Sequence, residues 1–113
     1  MRLLFYVSSG GRRYVEDFIS GLEDRLQAAV VVALDQIRVL GIGAPGVSFR
    51  QIKGKLWEIR VQAGGAARLF YVIRAPEDRE QELILLHAYL KQTQKAPKRE
   101  IAVAISRMKE ILG

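Results

Sequence analysis

Hydrophobic and polar positions change period several times along this chain, and each change marks an element. RLLFYV at 2–7 is a short apolar run closed by Ser8-Ser9-Gly10-Gly11, which predicts a first strand. A short helix is expected over Arg13–Ile19. Ser20-Gly21-Leu22-Glu23 has the S-x-x-E spacing of a capping box, so a second helix is expected to start there. Leu22, Leu26, Ala29, Val30, Ala33, Leu34, Ile37 and Leu40 recur at helical spacing as one stripe, and Gly41 ends it. Val31 and Val32 fall beside the stripe, either packed on the short helix or open to a partner.

After the loop GIGAPG at 41–46 the period shortens to two. VSFRQI, LWEIRVQ, ARLFYVIR and ELILLHAY predict four strands. Lys53-Gly54-Lys55, Ala63-Gly64-Gly65 and residues 75–81 supply the turns between them. Pro97 then suits the first turn of a last helix reaching Leu112. Its apolar stripe is Ile101, Ala104, Ile105, Met108 and Leu112. The predicted order is β-α-α-β-β-β-β-α. The fold class is α+β, a small antiparallel sheet with two N-terminal helices and a C-terminal helix, the helices on one face. Residues 1–113 are expected to form a single domain.

Composition narrows the chemistry. There is no cysteine and one histidine, so disulfides and thiolate metal sites are excluded and no metal or other cofactor is expected. The first apolar stretch is too short for a signal peptide or a membrane span, which predicts a cytoplasmic protein with no membrane partner. Net charge is +6 and uneven: residues 1–50 hold six Lys/Arg and five Asp/Glu, residues 51–113 twelve and seven. A basic half suits nucleic acid or an acidic protein partner, or serves only solubility.

Strand alternation sorts the candidate residues. Trp57, Ile59 and Val61 are expected in the core, with Leu56, Glu58, Arg60 and Gln62 on the other face. Arg68 and Arg74 share a face with Phe70 and Val72. His87, Tyr89 and Lys91 share a face of the last strand. One side of the sheet is thus expected to carry Arg60, Arg68, His87, Tyr89 and Lys91. Lys98 and Arg99 in the first turn of the last helix oppose its dipole, at roughly 0.3–1 kcal/mol each. Near Lys91 and Lys95 they would suit a phosphate chain, unless Glu100 and solvent simply soften the cost. Lys53 and Lys55 flank a turn glycine and either grip phosphate or are solvated.

This cationic and aromatic set fits RNA cleavage without metal. The 2′-hydroxyl must lose a proton and attack phosphorus, the phosphate gains negative charge, and the 5′-oxygen leaves protonated. Arginines stabilise that charge. A histidine transfers protons near neutrality. Tyr89 could stack on a base.

LWEIRVQAGGAARLFYVI at 56–73 and LILLHAYLKQTQKAPKREIAVAISRMKEIL at 83–112 resemble the RelE/HigB-type toxins of bacterial toxin–antitoxin pairs, the phage-related HigB-like branch in particular. The resemblance is close over roughly residues 50–112. It implies a microbial RNase fold and an endoribonuclease that cuts mRNA on the ribosome. It also implies a cognate antitoxin, often a helix-turn-helix protein, with operator DNA bound only through the toxin–antitoxin complex. The family's phosphate-binding arginine matches Arg68, its basic residue on the preceding strand Arg60, its basic position after the last strand Lys91, and the HigB-like histidine His87. Tyr89 would help position the RNA, and Lys53, Lys55, Lys95, Lys98 and Arg99 would supply diffuse attraction. One departure stands out: Glu58 occupies a middle-strand position where RelE members carry lysine. It leaves His87 as the expected base, with Glu58 either the alternative base or a surface ion-pair partner. Two other readings stay open, a ParE-like toxin that binds gyrase without cutting RNA, and a degenerate toxin that keeps only antitoxin binding.

Overall fold

Unbroken apolar runs decide the architecture. LFYVI in the fourth strand and LILL in the fifth have no polar alternation, the mark of a strand buried on both faces. In the computed structural model, which describes residues 1–94 and 97–113, the chain forms β1 (Arg2–Phe5), α1 (Tyr14–Ser20), α2 (Asp24–Leu40), β2 (Ser48–Lys53), β3 (Leu56–Gln62), β4 (Ala66–Arg74), β5 (Glu82–Leu90) and α3 (Lys98–Leu112). This is a mixed α+β architecture with one five-stranded sheet in the order β1-β5-β4-β3-β2. The element order agrees with the sequence reading, with β1 ahead of the two helices.

Two expectations are corrected. The helices do not share one face. Leu69 and Tyr71 of β4 pack with Leu26, Val30, Leu34 and Ile37 of α2. Phe70 and Val72 pack with Ala104, Ile105 and Met108 of α3. Neighbouring strand residues point to opposite faces, so α2 and α3 cover opposite sides. Nor is the sheet wholly antiparallel. β2 to β5 form the expected meander, but β1 runs parallel to β5, Arg2 beside Glu82 through Phe5 beside Leu85.

Helix α2 starts three residues later than a box on Ser20 would place it. Ser20 closes α1. Glu23 is itself the N-cap, its carboxylate accepting from the amides of Arg25 and Leu26. Leu22 is left in the connection but still buried. Val31, Val32 and Leu40 are exposed, so the first two do not pack on α1 and the stripe ends before Leu40. The two-residue turn at Gly54-Lys55 needs a positive φ, which Gly54 supplies at 56°.

Glu82 ties the sheet's parallel edge together. It is 1% exposed, and it accepts from Arg2 at 3.2 Å and from Arg74 at 2.7 Å. The Arg74 hydrogen bond holds its carboxyl below the usual carboxylate range. The folded carboxylate therefore binds its proton more weakly than the unfolded one. Its stabilisation is full above the ordinary carboxylate range and is lost as pH falls through the depressed folded value. Thermal unfolding of the wild type and Glu82→Gln, followed by circular dichroism, is expected to differ widely at neutral pH and to converge in acid. Parallel curves would mean that the charge on Glu82 contributes nothing.

Candidate nucleic-acid site

The sheet leaves one end of its α3-side face open. Register sets two rows of side chains across that end. Ser48, Arg60, Arg68 and Tyr89 lie opposite one another on β2, β3, β4 and β5, and Arg50, Glu58, Phe70 and His87 form the next row. A cleft of about 530 Å³ opens above them. Arg50, Arg60, Arg68 and Lys91 supply its charge, Phe70 and Tyr89 its aromatic surface, and Pro97 and Ile101 the wall toward α3. Phe70 and Tyr89 stack with centroids 5.6 Å apart.

Two features of the cleft work against stability. Arg60 and Arg68 stand directly opposite each other, and like charges so placed repel. Glu58 is 4% exposed, a carboxylate almost wholly out of water. Burial pushes its pKa up, against the pull of Arg68, Arg50, Arg60 and Lys91. This removes the reading of Glu58 as a surface ion-pair partner. Burial also raises the Tyr89 phenol, with the Glu58 charge adding to the effect. Tyr89 therefore stays protonated and keeps an O–H to donate.

The structure brings together four of the five residues expected at the centre: Arg60, Arg68, Tyr89 and Lys91. His87 shares their face but is not among the cleft's lining residues. Its Nε2 lies 2.7 Å from Glu100 and its Nδ1 3.3 Å from Arg107. Lys98 and Arg99 line an adjoining groove with Lys91 and Thr93. Lys53 and Lys55 sit at the β2–β3 hairpin, outside both linings. Lys95 lies outside the described residues.

Sequence reasoning missed Arg50 and Arg107. The alternation of VSFRQI puts Arg50 on the same face as Ser48, so the signal was present, but the β2 register was not. Arg107 stands two helical turns after Glu100, on the face that carries Ala104.

Residues 17–109 match the phage-derived Gp49-like family, DUF891. That stretch holds α2, every strand after β1 and most of α3. The chain belongs to the Gp49-like family. This is a toxin–antitoxin-associated, RelE-like family, which makes a cognate antitoxin the implied partner of the Gp49-like chain. Among curated proteins no sequence matches it. Within the family match lie every residue of the cleft and both partners of His87. Among the described residues of this Gp49-like chain, no helix is long and apolar enough to cross a membrane.

Proposed function

We propose that this chain is the toxin of a toxin–antitoxin pair and acts as a metal-independent endoribonuclease on mRNA at the ribosome, in the cytoplasm. The observation that carries the reading is the cleft itself. Two arginines face each other across β3 and β4, beside a buried carboxylate with a raised pKa. Neither feature favours folding, and both suit an anionic substrate that must be deprotonated.

In this reading the scissile phosphate sits against Arg68 and Arg60, whose planar donors match phosphate oxygens. Glu58 takes the proton of the 2′-hydroxyl. A raised pKa makes it a stronger base than an ordinary carboxylate. The 2′-oxygen bonds to phosphorus, and the two arginines stabilise the extra charge on the phosphate oxygens. The bond to the 5′-oxygen breaks, leaving a 2′,3′-cyclic phosphate and a 5′-hydroxyl. Lys91 and Tyr89 are the proton-bearing side chains of the opposite wall, and one of them protonates the leaving oxygen. Tyr89 and Phe70 offer aromatic surface to a base. Arg50, Lys98 and Arg99 extend the positive track for flanking phosphates. A cognate antitoxin would neutralise the toxin, and operator DNA would be met only through their complex.

The test is primer extension on a defined mRNA, with and without programmed ribosomes. Cuts at codon positions that need the ribosome are expected. No cut in either condition, from protein shown to be folded, would overturn the nuclease reading in favour of a gyrase-binding or degenerate toxin.

A further inference from the structure

The ring of His87 is held on three sides. β5 carries a bulge: Phe70 pairs with His87 and Tyr71 with Leu85, so Leu86 has no partner in the register. The bulge turns His87 to the same face as Leu86, toward α3. Arg107 reaches back from α3 and donates through Nη1 to the Leu86 carbonyl at 2.9 Å. The same Nη1 lies 3.3 Å from His87 Nδ1. Its guanidinium is held over the rings of Tyr6, at 5.0 Å, and Tyr14, at 4.3 Å. Glu100 Oε1 lies 2.7 Å from Nε2, and Phe70 stacks on the ring at an interplanar angle of 8°.

Donor and acceptor chemistry points to one tautomer of the ring. A guanidinium nitrogen only donates, so Nδ1 must present its lone pair. The ring proton then sits on Nε2 and is donated to Glu100, at the short distance of a charge-assisted bond. A general base needs a free lone pair, and this one faces Arg107. A general acid needs a proton aimed at substrate, and this one faces Glu100. Glu100 lies next to Ile101, in the first turn of α3 behind Pro97, and those two residues wall the cleft.

We propose that His87 is a positioning residue, its ring clamped between Arg107 and Glu100 with Nε2 donating to Glu100, and that it sets the α3 wall of the cleft. The effect on cleavage rests on the nuclease reading above; the state of the ring does not. With one histidine in the chain, nitrogen-15 histidine labelling yields a single ring to observe. Long-range proton–nitrogen correlation at mildly alkaline pH is expected to show Nε2 protonated and Nδ1 bare. A protonated Nδ1, or a mixture of tautomers, would overturn the proposal.

Cleavage supplies the second readout. Glutamine places its amide nitrogen where Nε2 stands and still donates to Glu100, but it transfers no proton. His87→Gln is expected to stay within a few-fold of wild type, and His87→Ala to lose on the order of 10²-fold through misplacement of the wall. Equal losses of about 10²–10⁴-fold in both variants would make His87 an acid or base and sink the positioning role. If the wild type cuts nothing, the nuclease reading falls alone. The clamp is then decided by the tautomer and by amide exchange across α3, which is expected to rise in His87→Ala and not in His87→Gln.

Discussion

Replacing Arg68 with alanine is expected to slow mRNA cleavage by about 10²–10³-fold, the usual cost of removing one group that stabilises transition-state charge. Arg68 sits at the centre of its row, between Arg60 on β3 and Tyr89 on β5, so no neighbouring strand can replace it. Folding should not suffer. Its guanidinium donates to the carbonyl of Ala67, on its own strand, at 3.2 Å, and its removal relieves the repulsion with Arg60. Its attraction for the buried Glu58 carboxylate is lost as well, so the thermal midpoint of Arg68→Ala is expected to stay close to that of the wild type. Arg68→Lys keeps the charge without the planar fork and should fall between the two in rate. Single-turnover cleavage on programmed ribosomes, read with unfolding curves, checks both halves. An Arg68→Ala protein that cuts as fast as the wild type would remove this arginine from the mechanism.

Glu58→Gln carries the second large effect, with opposite signs for activity and stability. Glutamine fills the same space but accepts no proton, so cleavage is expected to drop by about 10²–10⁴-fold. Burial has raised the folded pKa of Glu58 despite four nearby cations. The folded state thus holds this proton more tightly than the unfolded state. What the group contributes to stability is complete below the ordinary carboxylate pKa and is lost as pH rises through the raised folded value. Glutamine has no such loss. The Glu58→Gln protein should unfold at a higher temperature than wild type at neutral pH, with the gap closing in acid. That is the reverse of Glu82→Gln, because the two carboxylates are shifted in opposite directions. If Glu58→Gln instead lost stability at neutral pH and kept its cleavage rate, Glu58 would be a structural counter-ion to the arginines.

Much of this could be read from residue order alone, and the failures have specific causes. Glycines and short turns delimited β2 to β5 because the hairpins are local. The pairing of β1 with β5 joins segments about eighty residues apart, and no local pattern encodes it. The two-sided burial was visible in LFYVI and LILL, yet the charged residues of LWEIRVQ suggested a half-exposed sheet. β3 fits that picture only at its Arg60 end, while the edge strand β2 has no buried residue. Alternation found Arg60 and Arg68 of the cleft but not Arg50. Alternation put His87 on the Arg68 face, where it lies, but could not foresee the bulge that keeps it there. Leu83 and Leu85 point to the α2 side, and a regular strand would have sent His87 there with them. Glu58 looked like a surface charge because neither α3 nor the cleft's depth can be seen along one strand.

The β1–β5 pairing also bears on when the protein acquires its cleft. A ribosome makes β1 first and β5 fourth after it among the strands, so the opening segment has no neighbour through most of synthesis. Until β5 appears there is no Glu82 for Arg2, and no Tyr89 or Lys91 to face Arg68. The α3 wall comes later still. Non-local pairing of this kind delays folding. A nascent chain that has not yet reached β5 therefore holds the cleft's arginines without the wall that faces them.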